Sequence, residues 1–160
     1  MADDRPRSED APGHDLDQEW GELVEEHRLA MPGIQVLFAF LLILPFQNRF
    51  EELTQNQVYV YFSALVGAAI AIVLLISPTA VHRIRWRQQD KEALLQLATR
   101  TAIAATVFIA ASMTASVYLV TDVLFSASVT VPVTVVLAAA FAGFWYVLPL
   151  VRRARDRARS

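Results

Sequence analysis

Between Leu29 and Val151 the chain is written as four apolar blocks, at residues 29–46, 58–78, 101–121 and 129–151, joined by short polar connections. A bilayer core about 30 Å thick takes roughly 20 apolar residues at a helical rise of ~1.5 Å each. A soluble chain of this length spreads its apolar residues in helical or alternating stripes, whereas these blocks are continuous. In hydrocarbon each block must satisfy its own backbone N–H and C=O groups, so each is expected to be a helix. The expected fold is an all-α membrane protein, a four-helix transmembrane bundle of two antiparallel hairpins. An amphipathic cytoplasmic helix precedes the bundle, and a short interfacial helix lies between spans 2 and 3.

The chain has 160 residues, enough for one compact unit, and 55% of them are hydrophobic. With no cysteine, disulfides, thiolate catalysis and cysteine-ligated metal sites are excluded. His14, His27 and His82 share no ligand spacing. The formal charge of −2 hides an asymmetry. Residues 1–28 hold ten acids against three arginines, whereas residues 152–160 hold five arginines against one aspartate. Arginine outnumbers lysine thirteen to one, a composition that points to a GC-rich bacterial genome. The opening MADDRPRSEDAPGHD has no basic start followed by an apolar run, so no cleaved signal peptide is expected.

Residues 1–14 are charged and aperiodic, and are expected to be a disordered acidic tail. Over 15–28, Leu16, Trp20, Leu23, Val24 and His27 fall on one helical face, and Asp17, Glu22, Glu25 and Glu26 on the other. That face either packs on the cytoplasmic end of the bundle or docks a partner. Pro32-Gly33 is expected to break the acidic helix from the first span. The first span holds one polar residue, Gln35, and Pro45 signals its exit. In the second span, Ser63, Gly67 and Ala71 form a small-xxx-small repeat suited to close helix approach, within the monomer or between copies. Pro78 is expected to end that span.

The connection HRIRWRQQDKEALLQLATR (82–100) is basic, with an apolar side at Leu94, Leu95, Leu97 and Ala98. It is expected to lie along the inner membrane surface with Trp86 in the interface. The third span carries Thr106, Ser112, Thr114 and Ser116, whose hydroxyls can bond back to the preceding turn. Asp122 ends it, and the short DVLFSAS connection forces an antiparallel hairpin. Pro132 falls in the first turn of the fourth span, where a missing N–H costs little. Residues 152–160 form a basic cytoplasmic tail.

Lysine and arginine accumulate on the cytoplasmic side of membrane spans. With four spans the amino terminus, the 82–100 connection and the carboxyl tail share one side, and they hold thirteen of the fourteen basic residues. Only Arg49 lies opposite. Both termini are therefore expected in the cytoplasm of a bacterial cell. Arg83, Arg85, Arg87, Arg152 and Arg153 would sit on anionic inner-leaflet lipid, at about 1 kcal/mol each. The tail is too short, and too poor in aromatics, for a nucleic-acid patch.

The stretches LDQEWGELVEEHRLAMPGIQVLFAFLLILPFQNRFEEL (16–53) and SPTAVHRIRWRQQDKEALLQLATR (77–100) resemble the DUF6328 family, small actinobacterial membrane proteins of unknown function. The resemblance rests on Trp20 in the acidic helix, the LPFQxRF run from Leu44 to Phe50, and Pro78 followed by His82-Arg83. It covers roughly residues 15–125. Relatives tend to carry a Thr-Gln pair where this chain has Ala30-Met31-Pro32. Some members carry a sodium/proton antiporter label, which the resemblance brings with it as an implication.

That label meets a physical objection. Ion coupling needs a group that binds a proton or sodium within the membrane, usually a carboxylate. No Asp, Glu, Lys, Arg or His stands mid-span, and Gln35 cannot exchange a proton. Glu51, Glu52 and Asp122 fall at the outer boundary, although an oligomer could bring Asp122 inward. Gln47 and Arg49 could contact an ion, a lipid phosphate or a partner, or Arg49 could pair with a neighbouring acid. No phosphate-binding loop, nucleophile elbow, zinc spacing or dinucleotide fingerprint occurs, so neither an enzyme nor a cofactor is expected. The expected role is a non-enzymatic accessory or scaffold component, either as a homo-oligomer or joined to a membrane-protein partner. The alternative is a small oligomeric transporter, and the candidate residues are Gln35, Gln47, Arg49 and Asp122.

Overall fold

A computed structural model of the chain describes residues 31–84 and 91–157. The described residues are almost entirely helical and contain no strand. Helix α1 occupies 31–43 and passes into a tight turn at Leu44–Phe46, where Pro45 sits in the first turn. A second short turn, Phe50–Glu52, leads into α2 at Gln55–Ile84. Then come α3 at Lys91–Leu124, α4 at Ala127–Ala142 and α5 at Leu148–Arg157, the last two joined through a widened π turn at Gly143–Val147.

Three of these stretches are long and apolar enough to cross a membrane: Gln55–Val81, Leu95–Leu124 and Ala127–Arg152. At 1.5 Å per residue even the shortest, of 26 residues, reaches about 39 Å and exceeds the hydrocarbon core. The apolar helix Met31–Phe46 is shorter. The acidic tail and the amphipathic helix expected over 1–28 lie outside the described residues.

Several expected boundaries differ from the observed helices, each for a local reason. Pro32 and Gly33 are already helical, and the junction with the acidic helix before Met31 lies outside the described residues. Proline's fixed φ is helical, and a Cβ on Gly33 would meet nothing within 4 Å. Helix α2 runs through Pro78 to Ile84. A spanning helix tolerates the lost N–H because neighbouring groups and small backbone adjustments accommodate the freed carbonyl. Residues 91–100 are the leading turns of α3 rather than a separate interfacial helix. From Lys91 to Leu124 there is no glycine or proline to interrupt the ladder. The connection from α3 to α4 shrinks to Phe125 and Ser126, with the Ser126 carbonyl accepting from the N–H groups of Val129 and Thr130.

The core lies where α2 packs along α3, with α1 laid against them. Ile34 and Leu41 from α1, Tyr61, Ala64, Ala68, Ala71 and Leu75 from α2, and Ala105 and Leu119 from α3 form one buried cluster. Tyr61 fixes the carboxyl-terminal end of α1, its hydroxyl donating to the Leu41 carbonyl at 2.9 Å and its ring meeting Phe50 edge-on. The buried small face of α2 is Ala64, Gly67, Ala68 and Ala71 at helical i, i+3, i+4, i+7 spacing. Ser63 instead points outward and bonds back to the Tyr59 carbonyl.

The tightest approach is at Gly67. A Cβ there would come 2.5 Å from Ser112 Oγ on α3. Ser112 is 1% exposed, and its hydroxyl has no hydrogen-bond partner among the described residues. Most other span hydroxyls bond back to their own helix, as Ser116 does to the Ser112 carbonyl at 2.7 Å. Ser112 therefore acts as a small spacer rather than a polar clasp.

This packing gives a direct expectation. Gly67→Leu drives an isobutyl group into α3 and should destabilise the hairpin by about 1–3 kcal/mol, the usual cost of overpacking. Ser112→Ala breaks no bond and should leave stability nearly unchanged. Thermal unfolding of the detergent-solubilised protein, followed by circular dichroism, checks both.

Candidate functional site

Polar chemistry gathers at the end of the bundle that carries the 44–54 connection. Thr54 opens α2 with a reciprocal cap. The Thr54 N–H donates to Gln57 Oε1 at 2.9 Å, and the Gln57 N–H donates to Thr54 Oγ1 at 3.4 Å. This is the Ser/Thr-x-x-Glu/Gln capping box, in which two orphan donors of the first turn are satisfied together. The other arm of the same amide crosses to α3, where Gln57 Nε2 donates to Asp122 Oδ2 at 2.8 Å. Gln57 thus joins the start of α2 to the last turn of α3. The carboxylate also faces the positive end of the α2 dipole, a favourable placement for an anion.

Beside this bridge lies a cavity of about 260 Å³ between the 44–53 connection and the end of α3. Leu44, Phe50, Leu53, Leu119 and Val123 make most of its wall, which is almost wholly apolar, and Gln47 and Arg49 border it at the rim. Arg49 Nε stands 3.9 Å from Glu52 Oε2, and both side chains are largely in solvent, at 84% and 72% exposure. A pair that long and that exposed contributes little to stability. Phe46, at the tip of the connection, is 84% exposed.

Of the four sequence candidates, Gln47 and Arg49 are brought together on one cavity. Asp122 stands at the same end but is engaged by Gln57 and does not line that cavity. Gln35 is exposed on α1, about 18 Å from Gln47 at helical rise, and joins neither group. Of the arginines expected on lipid, Arg152 is exposed. The side chains of Arg83, Arg85, Arg87 and Arg153 lie outside the described residues. Among the described residues no group of three or more His, Asp or Glu is placed to hold a metal.

A second cavity, of about 480 Å³, opens between α3 and α4. Val107, Ala110 and Thr114 line it from α3, and Thr134, Ala138 and Tyr146 from the α4 side. At one end Thr106 and Tyr146 share a hydrogen bond of 2.9 Å between their hydroxyls. The two hydroxyl faces of the third span therefore have separate neighbours. Thr106, Ala110 and Thr114 face α4, while Ser112 faces α2.

Sequence reasoning missed Gln57, Tyr146 and the π turn. The first had a visible signal in Thr54-Gln55-Asn56-Gln57, which matches the capping box. The π turn had one in Pro149, whose missing N–H and ring crowd the preceding turn. The ladder widens there, with the Leu148 N–H reaching the Gly143 carbonyl. The Thr106–Tyr146 contact joins residues 40 apart and had none.

A family model described as "Family of unknown function (DUF6328)" matches residues 9–149, and the chain belongs to that family. No curated protein and no solved structure shows a significant match.

Gln57→Ala removes the reciprocal cap and the interhelix bridge together, and should cost about 1–2 kcal/mol. Asp122→Asn keeps an acceptor oxygen facing the Gln57 amide and should cost markedly less. Detergent-phase melting of the two variants beside the parent decides the order, and the reverse order would remove Gln57 from its bridging role.

Proposed function

We propose that this member of the family is a multi-pass protein of the bacterial cytoplasmic membrane that serves as a non-enzymatic accessory or scaffold component. In this reading α1 completes four spans in two antiparallel hairpins, with both termini in the cytoplasm. The distribution of basic residues supports that orientation, since thirteen of fourteen fall on the amino-terminal, 82–100 and carboxyl-terminal segments.

The observation that carries the accessory role is the surface of the last long helix. The most apolar 18-residue window of Ala127–Arg152 has no buried residue, against 28% and 22% for the two other long helices. Val131, Val135, Val136, Phe144 and Leu150 all face outward. That helix leaves a whole apolar flank for lipid or for another membrane helix. Ion transport lacks the group it needs, because no Asp, Glu, Lys, Arg or His occurs within 55–81, 101–121 or 127–151. Asp122, the nearest carboxylate, is engaged by Gln57 at the rim.

A transporter of small solutes is the second reading, and the hydroxyl-bearing cavity between α3 and α4 favours it. Its wall is mostly alanine, valine and aromatic carbon, with Thr114, Thr134 and Tyr146 as the polar exceptions. So thin a polar stripe serves helix packing more readily than a hydrated path.

Two measurements separate the readings. Vesicles reconstituted with the protein should show proton and sodium flux no greater than empty vesicles, and flux abolished by Asp122→Asn would overturn the scaffold role. Cross-linking of a tagged copy in native membranes should retain one defined membrane protein. A protein recovered only as a solitary monomer would count against the proposal.

A further inference from the structure

We propose that the cavity between the 44–53 connection and the end of α3 is a binding site for a zwitterionic phospholipid with a primary-ammonium headgroup. The inference rests on the membrane reading above and adds a ligand to it. Three observations lead there, the first being the shape of the site. Leu44, Phe50, Leu53, Leu119 and Val123 give an almost wholly hydrocarbon wall, and Gln47 and Arg49, both from the connection, border it, with the Arg49 side chain largely in solvent outside. An apolar trough with charged side chains just outside its rim suits an acyl chain lying inside and a phosphodiester headgroup lying outside.

The second observation is position. The connection lies at the ends of α1 and α2, where the apolar helices give way to polar sequence, at headgroup depth. Phe46 is 84% exposed there, a placement natural for an aromatic ring among lipid headgroups and costly for one in water.

The third is charge. Arg49 is the one basic residue of the 44–54 connection, and its contact with Glu52 runs through Nε at 3.9 Å. A guanidinium carries five N–H donors in a fork that fits phosphate oxygens. Glu51 and Glu52 follow within one turn, and Asp122 stands at the same end, so the surroundings are net acidic. A lipid with a net negative head would meet those acids unfavourably. A head with phosphate toward Arg49 and ammonium toward Glu52 matches the order of charges. The primary ammonium offers three donors for the carboxylate, whereas a trimethylammonium offers none.

The test is native mass spectrometry of the full-length protein, released from mixed micelles holding equimolar phosphatidylethanolamine, phosphatidylcholine and phosphatidylglycerol of identical acyl chains. Phosphatidylethanolamine should be retained about five-fold over either competitor, equivalent to roughly 1 kcal/mol. Arg49→Ala should abolish the preference. Glu52→Gln, also at an exposed position, should shift retention toward phosphatidylglycerol. Equal retention of all three lipids, a preference for phosphatidylglycerol in the parent, or a preference surviving Arg49→Ala would each overturn the site. None of those results touches the membrane reading, which fails separately if the protein is soluble without detergent.

Discussion

Hydrocarbon offers no partner for a peptide N–H or C=O, and every other feature of this chain is arranged around that fact. Each apolar stretch closes its own hydrogen bonds as a helix, and the helices are then held together by what remains. Lipid tails are as apolar as leucine side chains, so burying leucine gives little advantage to one helix pairing over another. Close fit does the selecting instead. The α2 face of Ala64, Gly67, Ala68 and Ala71 brings its backbone near α3, and Ser112 occupies the space that a larger residue would deny.

Polar bonding is kept to the margins of this arrangement. At one end Gln57 spans from the first turn of α2 to Asp122 on α3, and Tyr61 holds the Leu41 carbonyl of α1. On the other side of α3, Thr106 meets Tyr146. Each of these bonds links two helices that apolar contact alone would leave free to slide. The hydroxyls between them mostly turn back on their own helices, as Thr121 does to Val117 and Thr134 to Thr130. Among the described residues the interior thus carries almost no unsatisfied polarity, Ser112 being the exception.

Block length and the absence of mid-span charge were legible in the residues, because both follow from the thickness and polarity of the solvent. Facing was much less so. A water-soluble helix advertises its buried side by a contrasting polar side, but α2 is apolar all round, so nothing fixes its rotation. That is why the small repeat of Ser63, Gly67 and Ala71 points to nearly the right face and yet places Ser63 inside, where Ala64 belongs. Proline misled for a related reason. Pro78 reads as a stop in water, whereas a spanning helix carries it within the ladder. At the candidate site, Gln47 and Arg49 were legible as the polar residues of a short connection. Their common cavity depends on Leu119 and Val123, some seventy residues away, which no local pattern announces.

The five residues Gly143–Val147 have a geometric effect on everything that follows them. A single π turn holds one more residue than an α turn, so downstream side chains are rotated by about 100° from where an uninterrupted helix would put them. The azimuth of Leu150, Arg152 and Arg155 is therefore set by this widening rather than by their spacing from Ala139. Losing one residue between 143 and 147 would restore an even winding and keep Leu150 on the flank it now occupies, whereas rewinding the turn as α-helix at unchanged length would swing it to a different flank.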